Sequence, residues 1–279
     1  MSVARSAPSI AVLGPGGVGG FVAAALARAG TPVTVVAREA TAETIGRDGL
    51  RVESLRLGDF TVHPAAVARL EEAVDVLLVA TKAGGLDEAL DRVAGPPGLV
   101  VPLLNGLDHM DALHERYGPG RVAAGTIRIE ADRPHPGHIT QTSPFLRIDL
   151  ASDRGLDLAP LAATLEASEI PARVLDSEAQ VLWGKLVRLN ALACTTSAYD
   201  LPLGPIRDTP ELRADLEGAV REGAAVATAE GASVAFESVM EELLDAHAEL
   251  SSSMNRDIHA GRAPELDQIP GAVLRAGAR

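Results

Sequence analysis

The sequence predicts an α/β, doubly wound N-terminal domain followed by an all-α C-terminal domain, on three observations. A short apolar strand, Ile10-Ala11-Val12-Leu13, runs straight into Gly14-Pro15-Gly16-Gly17-Val18-Gly19 and an alanine-rich helix reaching Gly30, after which Val33-Thr34-Val35-Val36 reads as a second strand. Strand and helix patterns then alternate through the first half, as a parallel sheet with crossover helices requires. Beyond Ser177 the strand pattern stops, and Ser177–Thr195, Pro210–Glu230 and Val234–Ala260 favour helices. The expected division is therefore 1–175 and 176–279. Neither repeats nor low-complexity linkers intervene, so the two parts are expected to pack directly and leave a cleft for a substrate.

The opening unit carries its own chemistry. In a G-x-G-x-x-G turn, Gly14 permits the bend, Gly16 lets backbone amides approach a pyrophosphate, and Gly19 lets helix and strand pack closely. The diphosphate then meets a helix N-terminus, where unpaired N–H groups and the helix dipole favour an anion. The second strand ends at Ala37-Arg38. An NAD enzyme usually places an acidic side chain there for the ribose 2′-hydroxyl, whereas arginine favours the 2′-phosphate of NADP. These residues make the N-terminal domain a Rossmann-type nucleotide binder.

Further along, Val52–Val62 reads as short strands around Gly58-Asp59, and Ala73–Ala80 as a buried strand ending at Thr81-Lys82. Leu86–Val93 is expected to be helical and Gly95-Pro96-Pro97-Gly98 to break it, and the strand Leu99–Leu104 then delivers Asn105-Gly106 to a loop. Asp108–Tyr117 reads as helix, Arg121–Glu130 as extended, and two short extended pieces flank Pro134–Gly137 and Pro144. Ligands gather at strand ends in such sheets, so Gly14, Arg38, Lys82 and Asn105 are expected to share one edge. In the second half, Ser177 with Gln180 has the spacing of a capping box.

Composition narrows the function classes. With 47% hydrophobic residues the chain is globular, and runs such as Val74–Ala80 and Leu99–Leu104 are too short to span a bilayer. No charged leader with a long apolar segment precedes the first strand, so a cytoplasmic protein is expected. One cysteine, Cys194, excludes an internal disulfide and a cysteine-based zinc cluster. A net charge of −13 disfavours nucleic acid and anionic membranes, and requires local cations such as Arg38 and Lys82 to capture an anionic cofactor. The histidines of His135-Pro136-Gly137-His138 flank a tight turn with no third ligand nearby, so no metal is expected.

More specific tracts lie in the second half. Val181-Leu182-Trp183-Gly184-Lys185-Leu186 opens a helix, and Ser251-Ser252-Ser253-Met254-Asn255-Arg256-Asp257 leads through Gly261-Arg262 to Glu265-Leu266-Asp267 and Gly271. Together with Gly14–Gly19, Arg38, Lys82 and Asn105-Gly106, these tracts resemble the ketopantoate reductase (2-dehydropantoate 2-reductase) family over nearly the whole chain. The resemblance implies an NADPH-binding N-terminal domain and a helical domain that closes over a 2-oxo acid. It makes Lys185 the catalytic lysine and Glu265 a second catalytic carboxylate that pairs with Lys185 or holds the substrate hydroxyl. It makes Ser253 a substrate contact, has Asn105 hydrogen-bond near the nicotinamide or Lys185, and sets Arg38 and Lys82 on the 2′-phosphate. A lysine suits the chemistry, because hydride delivery to a ketone leaves negative charge on oxygen that must be stabilised and protonated.

The departures bear on the substrate. Members reducing ketopantoate carry asparagines four and eight residues after the lysine, and this chain has Leu189 and Ala193 there. Asn190, the remaining candidate for a substrate contact, is offset by one residue, roughly 100° around a helix. Pro264 replaces the threonine usual before the glutamate, and the chain stops at Arg279, where relatives continue into another helix, so a shortened C-terminal helix is expected. The expected function is NADPH-dependent reduction of a 2-oxo acid, ketopantoate or a close analogue, by a monomer or homodimer. The alternatives are a paralogue reducing a more apolar keto or imine substrate, and a weakly catalytic NADP-binding sensor.

Overall fold

Strands β1 (Ile10–Leu13) and β2 (Val33–Val36) are apolar at nearly every position because helices cover both faces of a central parallel sheet. The computed structural model describes residues 8–279; the stretch ahead of Pro8, part of the segment searched for a leader, lies outside the described residues. The chain forms two units, one made of the residues up to Leu104 with His109–Glu178, the other of Asn105–Asp108 with Ala179–Arg279. The loop that follows Leu104 therefore groups with the helices.

In the first unit, α1 (Gly17–Arg28) joins β1 to β2, and α2 (Glu39–Asp48) leads to an antiparallel pair of β3 (Leu50–Ser54) and β4 (Phe60–Val62) and then to β5 (Ala65–Val67), which returns to the main sheet beside β2. Then come β6 (Val74–Val79), a 3₁₀ turn at Ala83–Gly85, α3 (Leu86–Leu90), β7 (Pro97–Pro102), α4 (His109–Tyr117) and β8 (Ala124–Arg128). The hairpin β9 (Ala131–His135) and β10 (His138–Gln141), β11 (Arg147–Ala151), α5 (Ala159–Ala167) and β12 (Ala172–Val174) complete the unit. The main sheet is parallel throughout in the order β5-β2-β1-β6-β7. That order is doubly wound, with the switch point beside β1. Leu13 lies opposite both Val36 and Val79, so the carboxyl ends of β1, β2 and β6 are level and present Gly14, Arg38 and Lys82 on one edge. Two smaller sheets, β4-β3-β10-β9 and β12-β11-β8, flank it. Phe21, Leu26, Val35, Ile45, Leu78, Ile139 and Ile148 form the buried core.

The second unit is helical: α6 (Glu178–Tyr199, entering from the first unit), α7 (Leu203–Asp208), α8 (Pro210–Ala229), α9 (Phe236–Asp245), α10 (Ser253–His259) and α11 (Pro270–Gly277). Its core is built from Trp183, Val187, Leu203, Ile206, Leu216, Val220, Leu243 and Ile269.

Two local expectations are corrected. The helix expected over Leu86–Val93 stops at Leu90, because Leu70 N–H donates to the Arg92 carbonyl and Ala94 N–H to the Leu70 carbonyl, drawing that segment into a bridge. The single helix expected over Val234–Ala260 is two. Residues 246–250 are pulled out of helical form by Leu203 and Gly204, whose N–H groups donate to Leu250 and Ala248, and by Arg207, whose guanidinium donates to the carbonyls of Leu244 and Ala246. The Gln180 side chain donates to the Ser233 carbonyl at 3.0 Å and accepts from the Ser233 N–H at 2.9 Å, tying the start of α6 to the loop before α9.

Glycines separate packing from propensity. A Cβ on Gly19 would meet the Gly14 carbonyl oxygen and lie 2.9 Å from Ala80 Cβ, whereas one on Gly46, inside α2, would meet nothing within 4 Å. Gly19→Ala is therefore expected to lose about 1–3 kcal/mol by overpacking. Gly46→Ala is expected to gain about 0.5–1 kcal/mol. Urea denaturation of both variants checks the opposite signs.

Candidate active site

The glycine turn is formed as a nucleotide loop. Gly14 has φ of +89°, in the left-handed region, and its N–H donates to the Val36 carbonyl at 3.0 Å. Gly16 caps α1 without a side-chain cap, no acidic residue occupies the first turn, and a Cβ on Gly16 would find nothing within 4 Å. The helix N-terminus is thus open where a diphosphate would approach. Pro15 is buried and Val18 packs against the core, so both serve the turn's shape. A Cβ on Gly17 would strike the Ala131 carbonyl at the start of β9, a packing requirement invisible in the sequence. Beside Gly14, the Thr81 hydroxyl is buried and has no hydrogen-bond partner among the described residues. An open amide terminus and an orphaned hydroxyl fit a dinucleotide.

Arg38 sits at the N-cap of α2, with its side chain 77% exposed and its Nε 3.8 Å from Glu88 Oε1. Lys82 is exposed at the N-cap of the 3₁₀ turn after β6.

In the helical unit, Lys185 on α6, Asn105 and Glu265 are joined. Lys185 Nζ donates to Asn105 Oδ1 at 2.7 Å, and Asn105 Nδ2 donates to Glu265 Oε2 at 2.9 Å. An ammonium only donates and a carboxylate only accepts, so one orientation of the amide satisfies both neighbours. All three side chains are half-buried. Gly106, with φ of +87°, lets the loop turn hard against Gln268: a Cβ there would meet the Gln268 carbonyl oxygen. That contact holds Asn105 beside the segment that carries Glu265.

Ser253 opens α10 and is half-buried, while its neighbour Ser252 is the cap and is almost fully buried. Ser252 Oγ accepts from Asn255 N–H at 3.0 Å and lies 2.9 Å from Thr196 Oγ1 on α6, and Asn255 Nδ2 donates to the Thr196 carbonyl at 3.1 Å. This buried clasp ties the helix carrying Lys185 to the helix carrying Ser253. The sequence signal for it, the Ser at the cap position, was overshadowed by Ser253.

Asn190 is buried, and its Oδ1 accepts from the Cys194 thiol at 3.4 Å, which couples it to its own helix. Burial pushes the Cys194 thiol above its ordinary pKa, which favours the neutral form. Ala193 is fully buried and Leu189 packs against the helical core. Among the described residues no cluster of three or more His, Cys, Asp or Glu side chains could hold a metal, and no helix is long and apolar enough to cross a membrane.

A doubly wound sheet with an open glycine turn, and a helical unit presenting a hydrogen-bonded lysine, are the parts of an oxidoreductase using a nicotinamide cofactor. The family model described as ketopantoate reductase PanE/ApbA matches residues 10–152, and that described as ketopantoate reductase PanE/ApbA C terminal matches 179–279. The chain belongs to the ketopantoate reductase PanE/ApbA family. It is 30% identical over 97% of its length to a 2-dehydropantoate 2-reductase of Caulobacter vibrioides, covering 92% of that protein. It is 28% identical over 96% of its length to the uncharacterized oxidoreductase YkpB of Bacillus subtilis, covering 91% of that protein. The crystal structure of a 2-dehydropantoate 2-reductase from Geobacter metallireducens superimposes with a TM-score of 0.89 at 28% identity, covering 97% of this chain and 93% of that one.

Ser252→Ala removes both the cap of α10 and the partner of Thr196. A loss of about 1–2 kcal/mol is expected, measurable by urea denaturation.

Proposed function

We propose that this protein reduces a 2-oxo acid to the 2-hydroxy acid with NADPH, ketopantoate or a close analogue being the substrate. The observation that carries the reading is the Lys185–Asn105–Glu265 chain of hydrogen bonds. When bound, the dinucleotide supplies a hydride to the carbonyl carbon. Lys185 then stabilises and protonates the oxygen on which charge develops. Glu265 acts through Asn105: its carboxylate polarises the amide, which strengthens Oδ1 as an acceptor and keeps the ammonium aimed. Ser253 at the start of α10, and Asn190 once released from the Cys194 thiol, are the further groups assigned to the substrate.

NADPH is favoured over NADH because Arg38 offers a charge-assisted contact to the 2′-phosphate and Lys82 adds a second cation at the same sheet edge. In a chain of net charge −13 these local cations are what an extra phosphate needs. Gly14 to Gly19 with Pro15, Gly17 and Val18 form the diphosphate loop.

One observation favours a more apolar substrate than ketopantoate. The positions four and eight residues beyond Lys185 are Leu189 and the fully buried Ala193, which offer no hydrogen-bond donor. A substrate hydroxyl buried there without a partner costs about 1–3 kcal/mol, roughly a ten- to a hundredfold loss in relative kcat/KM.

Lys185→Ala is expected to keep NADPH binding while lowering kcat by about two orders of magnitude or more. Near-normal turnover would remove Lys185 from the chemistry. Arg38→Ala should weaken NADPH far more than NADH in equilibrium titrations, and equal losses would reassign the residue. Side-by-side kinetics with ketopantoate and its deoxy analogue decide the pocket: the deoxy acid is expected to have the higher kcat/KM, and the reverse order would identify ketopantoate as the substrate the site is built for.

A further inference from the structure

We infer that Glu88 limits the NADPH preference of this enzyme, as the resident counter-ion with which a 2′-phosphate must compete for Arg38. The inference rests on the assignment of Arg38 to the 2′-phosphate. Arg38 follows β2, and Glu88 lies in the first turn of α3 after β6. The strands β2 and β6 flank β1 with their ends level, so the two side chains reach toward each other across the end of β1, from which the glycine turn leaves. Their closest approach is 3.8 Å, from Arg38 Nε to Glu88 Oε1.

The carboxylate is fixed there by a second cation. Arg92, one helical turn further on, brings Nη2 to 3.2 Å from the same Oε1, and its Nη1 lies 3.5 Å from the Ala68 carbonyl. Arg92 is the more buried of the two arginines, with its side chain 27% exposed against 77% for Arg38. Glu88 is therefore tethered on one side by a half-buried guanidinium and faces an exposed one on the other. A 2′-phosphate carries about −1.5 to −2 charges and would enter beside this carboxylate. It must draw Arg38 away from Glu88 and accept a like charge within a Debye length. NADH carries a neutral 2′-hydroxyl at that position and meets neither cost. Glu88 thus narrows the advantage that Arg38 gives to NADPH.

The test is equilibrium binding of NADPH and NADH to the full-length protein by titration calorimetry at low and high salt, for wild type and Glu88→Gln. Glu88 is 62% exposed on its side chain, so the variant should fold, and its thermal midpoint checks this. Glu88→Gln is expected to tighten NADPH about three- to fivefold, in line with the release of an exposed ion pair, while NADH changes less than about twofold. The gain should shrink at high salt. Unchanged or weaker NADPH binding would overturn the inference, as would weaker NADH binding, which would make Glu88 a ligand of the ribose. Arg38→Ala separates the two levels of argument. If that substitution leaves the NADPH to NADH affinity ratio unchanged, the cofactor assignment fails. If it collapses the ratio while Glu88→Gln gains nothing, only the role of Glu88 fails.

Discussion

A single amide, that of Asn105, connects the cation and the carboxylate of the helical unit. Its oxygen faces the Lys185 ammonium at 2.7 Å and its nitrogen faces Glu265 at 2.9 Å. Charge complementarity locks that orientation, since flipping the amide would set donor against donor and acceptor against acceptor. Several otherwise unrelated features serve this contact. Gly106 adopts a positive φ against the backbone of Gln268, which brings the loop after β7 to the helices. The clasp of Thr196, Ser252 and Asn255 fixes α10 on α6, the helix that carries the lysine.

The cofactor end follows a different logic, in which absence of side chain is the functional property. Gly14 bends, Gly19 vanishes into the contact with β1 and β6, and Gly16 leaves open space at a helix N-terminus stripped of caps and acidic residues. The unpaired amides and dipole that would otherwise destabilise this terminus are then available to an anion. Charge at the rim is supplied by exposed arginine and lysine side chains, and the same rim carries Glu88 as an opposing charge. In the proposed function, affinity for the diphosphate and discrimination at the ribose therefore fall to separate residues.

The parallel sheet was legible from Ile10–Leu13, Val33–Val36 and Val74–Val79, because strands covered on both faces read as apolar runs and their turns were marked by glycine and proline. The tracts around Lys185, Asn105 and Glu265 could be picked out by resemblance, but not the hydrogen bonds that join them, which link residues 80 and 160 positions apart. What escaped was decided by long-range backbone contacts. The segment between α9 and α10 has helical composition, and only the donors from Leu203, Gly204 and Arg207 unwind it. Gly17 and Ser252 were similar cases. Each sits next to a more conspicuous residue, and its role depends on a neighbour, Ala131 or Thr196, far away in sequence.

If Glu265 works through Asn105 on Lys185, removing the bridge already disconnects the carboxylate. The direct measurement is a double-substitution cycle on kcat with Asn105→Ala, Glu265→Gln and the two combined, each checked for NADPH binding. The combined variant is expected to be no slower than Asn105→Ala alone, within about twofold, because residues acting as one unit are not additive. Losses that multiply in the combined variant would show Glu265 and Asn105 acting independently and contradict the bridged arrangement.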